Sequence, residues 1–398
     1  MSKRRDLRIL FNTNVPWANS GYSVEARDLM RRWVKDEWKV AMSGFAGLGG
    51  GVIDYEGYKI YPTLQDMWGS DAIVSHGRHH QANIVMSFQD VWPLQPQALQ
   101  QITAEGRKFI PYVPIDQEPV PEGVLNVLRF AYKIVTFSKF GQKALEKAGF
   151  TSKMIYEGTD TEIFKPMSKI EARKELGLPQ DKFIFGMIGA NKENPSRKSW
   201  QQNIEAFKMF HDKHPDSIFF YESNQNNQGA GGFPILQFAN HLGISKDVFH
   251  IDEYQSVVHA GSEVMNKMLN AFDVTLHASS TEGFGLVIIE SQSAGTPIIV
   301  NRSQSQPELV IEGKTGLICE TGHKLYSSSG GYWQIPSTIS LYDKMEEAFK
   351  ADRKKMGEEA RQWVLDNFDI NKIVQNEWLP YFEKLQDELL PVDTKDKK

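Results

Sequence analysis

Short apolar runs alternate with longer amphipathic stretches along the chain. Leu7–Asn12 reads as a strand, and Val24–Val34 then sets Val24, Leu29, Met30 and Trp33 near helical spacing. Lys39–Met42, Asn83–Ser87, Phe109–Pro114 and Lys133–Phe137 read as further strands, and Phe140–Lys147 as a helix closed by Gly149. Near residue 165 the texture turns polar, with Pro166 and the charged segment Lys165–Lys174. The rhythm then restarts. Strands are predicted at Phe183–Ile188, Ser217–Tyr221, Val248–Ile251, Val274–His277 and Ile298–Val300, with helices at Trp200–His211, Met265–Phe272 and Leu286–Ala294. From Lys344 to Leu390 the pattern is almost wholly helical, in the stretches Lys344–Lys355, Glu358–Val364 and Ile373–Leu390. Strand–helix alternation predicts parallel sheets, here two doubly wound, Rossmann-like α/β domains in tandem. Ligands of such sheets bind beyond the carboxyl ends of the strands, so a cleft between the two domains is the expected place for chemistry.

A chain of 398 residues suits two such domains, and 40% hydrophobic with 24% charged residues is a globular composition. The net charge of −5 argues against a polycation built to coat nucleic acid. Cys319 is the single cysteine, which excludes an internal disulfide framework and a cysteine-based zinc site. No apolar run approaches the roughly 18 residues of a membrane helix. The basic Ser2–Arg8 stretch is too short to announce membrane docking, and no secretory leader is legible. The expectation is a cytoplasmic protein without stable membrane insertion. The loops Gly44–Gly51 and Asn224–Gly232 read as connections or lids, and Asp393–Lys398 as a charged tail. His76, His79 and His80 invite a metal reading, but no coordinating carboxylate pattern accompanies them, and no metal is expected.

The segment Ala278–Pro297 carries the clearest chemistry. Glu282-Gly283-Phe284-Gly285 is a loop that opens a helix after the strand Val274–His277, and Gly295 with Pro297 closes that helix. A glycine-rich turn at a helix start offers backbone N–H groups and a positive dipole end to a phosphate. Glu282 and Glu290 stand a little over two helical turns apart. Two carboxylates beside a diphosphate make sense if they accept hydrogen bonds from hydroxyls on either side of it. The alternative is that Glu282 caps the helix and Glu290 is a solvated helix residue. Beyond the strand Phe183–Ile188, Lys192, Arg197 and Lys198 form either a phosphate-binding turn or a solvated basic one.

Glu-Gly-Phe-Gly-Leu-Val-Ile-Ile-Glu at 282–290, followed by Ala-Gly-Thr-Pro, resembles the E-x7-E motif of retaining GT-B glycosyltransferases, with glycosyltransferase family four the nearest match. Pro307-Glu308-Leu309 with Glu312–Gly316, Gly158-Thr159-Asp160 with Phe164-x-Pro166, and Val135–Ser138 resemble further family segments in the same order. The resemblance implies a nucleotide-diphosphate sugar as donor and no other cofactor. It implies that Glu290 binds the ribose hydroxyls, that Glu282 with the amides of Gly283, Phe284, Gly285 and Leu286 meets the donor sugar and diphosphate, and that Lys198 is the phosphate-binding lysine. The family's first cation position reads Asn191 here, so Arg197 or Lys192 would have to stand in. On the acceptor side, Gly21 matches a donor-approaching glycine; the alternative is an ordinary strand-to-helix turn with Ser20 as its cap. Trp17 and Tyr22 offer aromatic surface. Asp116 stands where relatives carry a histidine, either as a base or hydroxyl ligand or as the fixer of a Pro-rich turn, and Asp90 is a further acceptor-side candidate.

The domains expected on this basis are 1–168 for the acceptor, 169–372 for the nucleotide sugar, and 373–398 as a helix crossing back to the first domain with its tail. The expected function is a retaining, metal-independent hexosyltransferase, since no Asp-x-Asp occurs. Glu282, Lys198 and Asp116 would be the catalytic set. The acceptor class stays open among saccharide, lipid, protein and modified nucleic-acid base, as does the oligomeric state. The rival readings are a non-catalytic nucleotide-sugar binder, an epimerase relative, and a nicotinamide dehydrogenase. The last lacks Gly-x-Gly-x-x-Gly after the first strand.

Overall fold

The computed structural model describes residues 5–223, 231–251 and 261–391. Most of the 224–232 loop and the 393–398 tail lie outside the described residues. The chain forms two compact units. The first comprises residues 1–115, 120–158 and 370–398, and the second 116–119 and 159–369.

The first unit is built on one sheet. Its strands are β1 (Arg8–Asn14), β2 (Lys39–Phe45), β3 (Ile53–Tyr55), β4 (Tyr58–Tyr61), β5 (Ile84–Phe88), β6 (Lys108–Val113), β7 (Ile134–Thr136) and β8 (Ser152–Met154), in the order β3-β4-β2-β1-β5-β6-β7-β8. All neighbours pair parallel except β3 with β4. The inner strands are apolar on both faces because helices cover both sides. The helix Gly21–Lys35 buries Ala26, Leu29, Met30 and Trp33, and Ser20 caps it by accepting from Ser23 N. The helix Lys139–Lys147 ends before Gly149, whose φ of +84° lets the chain reverse.

The chain returns to this unit at its end. Trp378 and Phe382 pack edge-on against Trp33 at 5.4 and 5.0 Å, and Gln386 Oε1 accepts from Asp6 N and Leu7 N. The expected single helix Ile373–Leu390 is in fact α over Ile370–Ile373, a π turn over Val374–Trp378 and α again over Leu379–Leu389. Pro380 has no N–H to return to Asn376, which is where the ladder widens. The expected helix Lys344–Lys355 also breaks. One helix spans Thr338–Lys350, and Asp352 caps a second over Arg353–Asn367.

The second unit carries the sheet β9 (Phe183–Ile188), β10 (Ser217–Glu222), β11 (Val248–His250), β12 (Val274–His277), β13 (Ile298–Asn301) and β14 (Leu317–Cys319). The order is β11-β10-β9-β12-β13-β14, parallel throughout. Alternate residues of each strand enter different cores. Phe185, Met187, Phe219 and Tyr221 join one cluster, while Ile184, Ile188, Ile218 and Phe220 join the other. An antiparallel hairpin, β15 (Thr321–Tyr326) with β16 (Tyr332–Pro336), was not foreseen.

Residues 159–168, expected with the first domain, are counted with the second unit. Lys165 N and Met167 N donate to Asn266 and Asn270, and Arg361 donates to the carbonyls of Thr161 and Phe164. Among the described residues, no helix is long and apolar enough to cross a membrane. The histidine cluster divides into packing roles. His76 stacks on Tyr61 and bonds Ser43 Oγ, while His80 Nε2 meets the Lys39 carbonyl.

Glu25 is the first unit's most buried acid, and Gly158 N donates to both its oxygens at 3.2 and 3.3 Å. Burial, and then the nearby Glu157 and Asp28, push this carboxyl well above 4.5. A raised carboxyl holds its proton more tightly in the folded chain. Its contribution is therefore full at acid pH and is lost as pH climbs from about 4.5 through the folded value. The Tm of the wild type is expected to fall relative to Glu25→Gln as pH rises across that window. Parallel Tm–pH curves for the two proteins would refute this.

Candidate functional site

In the second sheet the strand order reverses between β9 and β12, the place where open α/β sheets bind ligands. Two loops leave the carboxyl ends of these strands. One runs from Gly189 to Ser199 and starts the helix Trp200–His211, and the other runs from Ala278 to Gly285 and starts the helix Leu286–Ser293. They are tied to each other through the backbone. Ser280 N donates to the Arg197 carbonyl at 2.7 Å, Ser199 Oγ meets Ser280 Oγ at 2.5 Å, and Asn203 Nδ2 reaches the carbonyls of Ser199 and Ala278. From behind, Asn301 and Gln306 donate to the Ser279 carbonyl at 3.0 and 2.9 Å. The Ser305 hydroxyl lies within 2.9 Å of the carbonyls of Glu282 and Phe284.

This frame brings Lys198, Arg197 and Glu282 together. Lys198 Nζ donates to Glu282 Oε1, and Arg197 donates to Glu282 Oε2 at 3.3 Å. His277, the last residue of β12, stands 3.1 Å from Glu282 Oε1 through Nε2. Sequence reasoning missed His277, because it reads as the final position of a buried strand and its partner is fixed only by the turn. Burial opposes charge on Glu282, but Lys198 and Arg197 outweigh it and hold the carboxyl well below 4.5. Burial, then Lys198, lowers the His277 imidazole, so it is neutral and carries its proton on Nε2 toward the carboxylate. Burial also lowers the Lys198 ammonium, against the pull of Glu282. The Lys198 stem passes over Gly189, where a Cβ would stand 3.4 Å from its Cγ.

Gly285 takes φ +110°, and no side chain caps the helix that follows. A Cβ at this position would also come within 2.9 Å of Ile288. The first turn, from Leu286, therefore presents its backbone N–H groups without a capping side chain. Glu290 lies on this helix and is buried, not solvated. The Phe284 ring is buried against Phe368, and the backbone amide expected to meet the donor lies in the turn before the helix. Gly283 is half-buried within the loop.

Asn191 is no substitute cation. Its side chain accepts from Phe233 N and donates to the Phe233 carbonyl, at 2.7 and 2.8 Å, and so clamps the chain at 232–233. Lys192 is exposed, which leaves Arg197 as the cation beside Lys198.

Asp116, expected on the first domain, belongs to the second unit with residues 117–119. Its carbonyl accepts from the Thr281 hydroxyl, and Gln117 Oε1 accepts from Ser327 and Ser329. Hydrogen bonding of this short segment to Thr281 and to the β15–β16 turn overrides its place at the end of β6.

The other candidates lie in the first unit, whose sheet reverses between β1 and β5. Trp17, Gly21 and Tyr22 follow β1, and Asp90 follows β5. Trp17 is 46% exposed, with Nε1 donating to the Gly47 carbonyl. Tyr22 packs edge-on against Phe88. Gly21 opens the helix that Ser20 caps, as the plainer reading had it, and Asp90 is exposed. Among the described residues, no group of three or more His, Cys, Asp or Glu is placed to hold a metal ion.

Two tandem α/β units with parallel sheets, the chain end returning to the first, define the GT-B fold. Sucrose-phosphate synthase from Thermosynechococcus elongatus superposes with a TM-score of 0.77 at 16% identity, over 96% of this chain and 99% of that one. Anabaena HepE, solved in complex with UDP-glucose, gives 0.72 at 17% identity, over 95% and 100%. In sequence, residues 168–327 match the family model for glycosyl transferases group 1. The N-acetyl-alpha-D-glucosaminyl L-malate synthase of Bacillus anthracis is 24% identical over 236 residues, 59% of this chain and 54% of that protein. The D-inositol 3-phosphate glycosyltransferase of Corynebacterium jeikeium is 30% identical over 177 residues, 43% of this chain and 40% of that protein. The matched stretch thus spans about half the length of these relatives or less.

Removing Glu282 would leave Lys198 buried without its counter-charge. Glu282→Ala is expected to cost about 3 kcal/mol or more in unfolding free energy. Because the folded carboxyl is depressed, its contribution is present above about 4.5 and lost as pH falls through the folded value. The stability gap between wild type and Glu282→Gln, read by denaturant melts, should close as pH drops below 4.5. A gap constant down to pH 2 would contradict this ion cluster.

Proposed function

We propose that this protein is a glycosyltransferase that moves a sugar, with retention, from a nucleotide-diphosphate sugar to a hydroxyl acceptor. The observation that carries the reading is Lys198, Arg197 and Glu282 gathered beside an uncapped helix start at the reversal point of the second sheet. The match of residues 168–327 to group 1 glycosyl transferases supports it. Lys198, Arg197 and the amides from Gly283 to Leu286 would take the diphosphate, Glu282 the donor sugar, and Glu290 the ribose hydroxyls. Leaving-group charge would be met by preorganised cations and backbone dipoles, without a metal. The acceptor hydroxyl would attack on the leaving-group face and pass its proton to the departing phosphate, so no protein nucleophile is assigned. Asp116, bonded through its carbonyl to the neighbour of Glu282, is the acceptor-side carboxylate this reading favours. Trp17, Tyr22 and Asp90 are the first unit's candidates for acceptor contact, and Gly21 is its candidate for approach to the donor diphosphate. The neutral, exposed Trp17 favours a ring-bearing acceptor such as a saccharide.

A thermal-shift panel tests the donor. UDP-, GDP-, ADP- and dTDP-sugars are compared with NAD and NADP, with and without EDTA, UDP-sugars first because HepE was solved with one. At a hundredfold excess over Kd, the bound sugar nucleotide should stabilise by about 2.7 kcal/mol. The shift should survive EDTA and disappear in Lys198→Ala and Glu290→Ala. A shift with NAD alone, or with no sugar nucleotide, would overturn the reading.

A further inference from the structure

The cluster around Glu282 is balanced before any ligand arrives. Glu193 and Glu282 are negative, Arg197 and Lys198 positive, and His277 neutral. The centre of the cluster is nearly dry, with side-chain exposures of 11% for Lys198, 7% for Glu282 and 1% for His277. A diphosphate adds at least two negative charges there, and little solvent is present to screen them. Arg197 and Glu193 reach solvent at the rim, but at the buried centre a proton taken up by the protein would restore the balance. His277 has the atom for it. Its Nε2 donates to Glu282, while its Nδ1 is buried with an unused lone pair and no hydrogen-bond partner among the described residues.

We propose that binding of a nucleoside diphosphate at Lys198 and Arg197 is coupled to uptake of one proton from solvent at Nδ1 of His277. This rests on the donor-site reading above. In the empty site Glu282 serves as resident counter-anion for both cations. When the diphosphate engages them, the imidazolium of His277 takes over the Glu282 carboxylate, and departure of the nucleotide returns the proton. The charged groups facing His277 are Glu282 from its own loop and Lys198 and Arg197 from the loop after β9. The flanking strands β9 and β13 contain no titratable residue. Burial, then Lys198 and Arg197, oppose protonation in the empty protein, and Glu282 favours it. A diphosphate cancels the opposition of the two cations and leaves the attraction of Glu282 to set against burial. His277 is thus a positioning residue that acts through Glu282.

The test is calorimetry of the full chain with UDP, GDP and ADP, each at pH 8 in buffers of different ionisation enthalpy. At that pH the terminal phosphate, with a second pKa of about 6, is already ionised. The nucleotide that binds should take up a substantial fraction of a proton per chain. His277→Gln, or His277→Asn should the first variant fail to fold, should bind it with uptake near zero. Wild-type affinity should fall as pH rises from 7 to 9, by up to tenfold per pH unit. Binding without proton uptake, equal uptake in the variant, or a Kd independent of pH would overturn the proposal and leave the donor site standing. No binding by any of the three nucleotides, together with no melting shift from any of the four sugar-nucleotide families, would overturn both.

Discussion

The second unit is organised by one buried carboxylate. Glu282 sits between Lys198 and Arg197, 84 and 85 residues earlier in the chain, with His277 behind it. Neither loop can be built alone, because each would bury charge without compensation. The interlocking contacts Ser280 N to the Arg197 carbonyl, Ser199 to Ser280 and Asn203 to Ala278 exist at the same place and fix the two loops to each other. A hydrophobic replacement of similar volume would hold the loops together with less desolvation. A charged cluster kept in so dry a place therefore costs stability that packing alone would not.

Much of this was legible in the sequence. The inner strands of both sheets are apolar on both faces, and such runs announce themselves without partners, as Phe183–Ile188 and Val274–His277 do to the residue. The helix start at Leu286 was legible from Gly283 and Gly285. Features fixed by distant partners were not. His277 gains its meaning only when the turn returns Glu282 to it, and Asn191 only when Phe233 arrives 42 residues later. The β15–β16 hairpin escaped because β15 carries a single aliphatic side chain, Leu325, whose partner Trp333 lies on the other strand, and because the Ser280 carbonyl that accepts from Gln334 N is distant in sequence. Residues 116–119 escaped for the same reason, since Gln117 and Thr281 are distant in sequence from the groups they bind.

The two sheets share a reversal of strand order yet furnish it differently. At the β1–β5 reversal of the first unit, Asn12 and Gln89 bond side chain to side chain, with Tyr22 and Trp17 nearby. Apart from exposed Asp90, the chemistry there is neutral and aromatic. At the β9–β12 reversal the chemistry is ionic and buried. Neutral amides and rings recognise hydroxyls and flat apolar faces at little desolvation cost, whereas a diphosphate needs fixed positive charge held away from water. One architecture used twice thus carries neutral, aromatic chemistry at one reversal and ionic, buried chemistry at the other. The division follows from which residue types each sequence places after its first and fourth parallel strands, not from any difference in the sheets themselves.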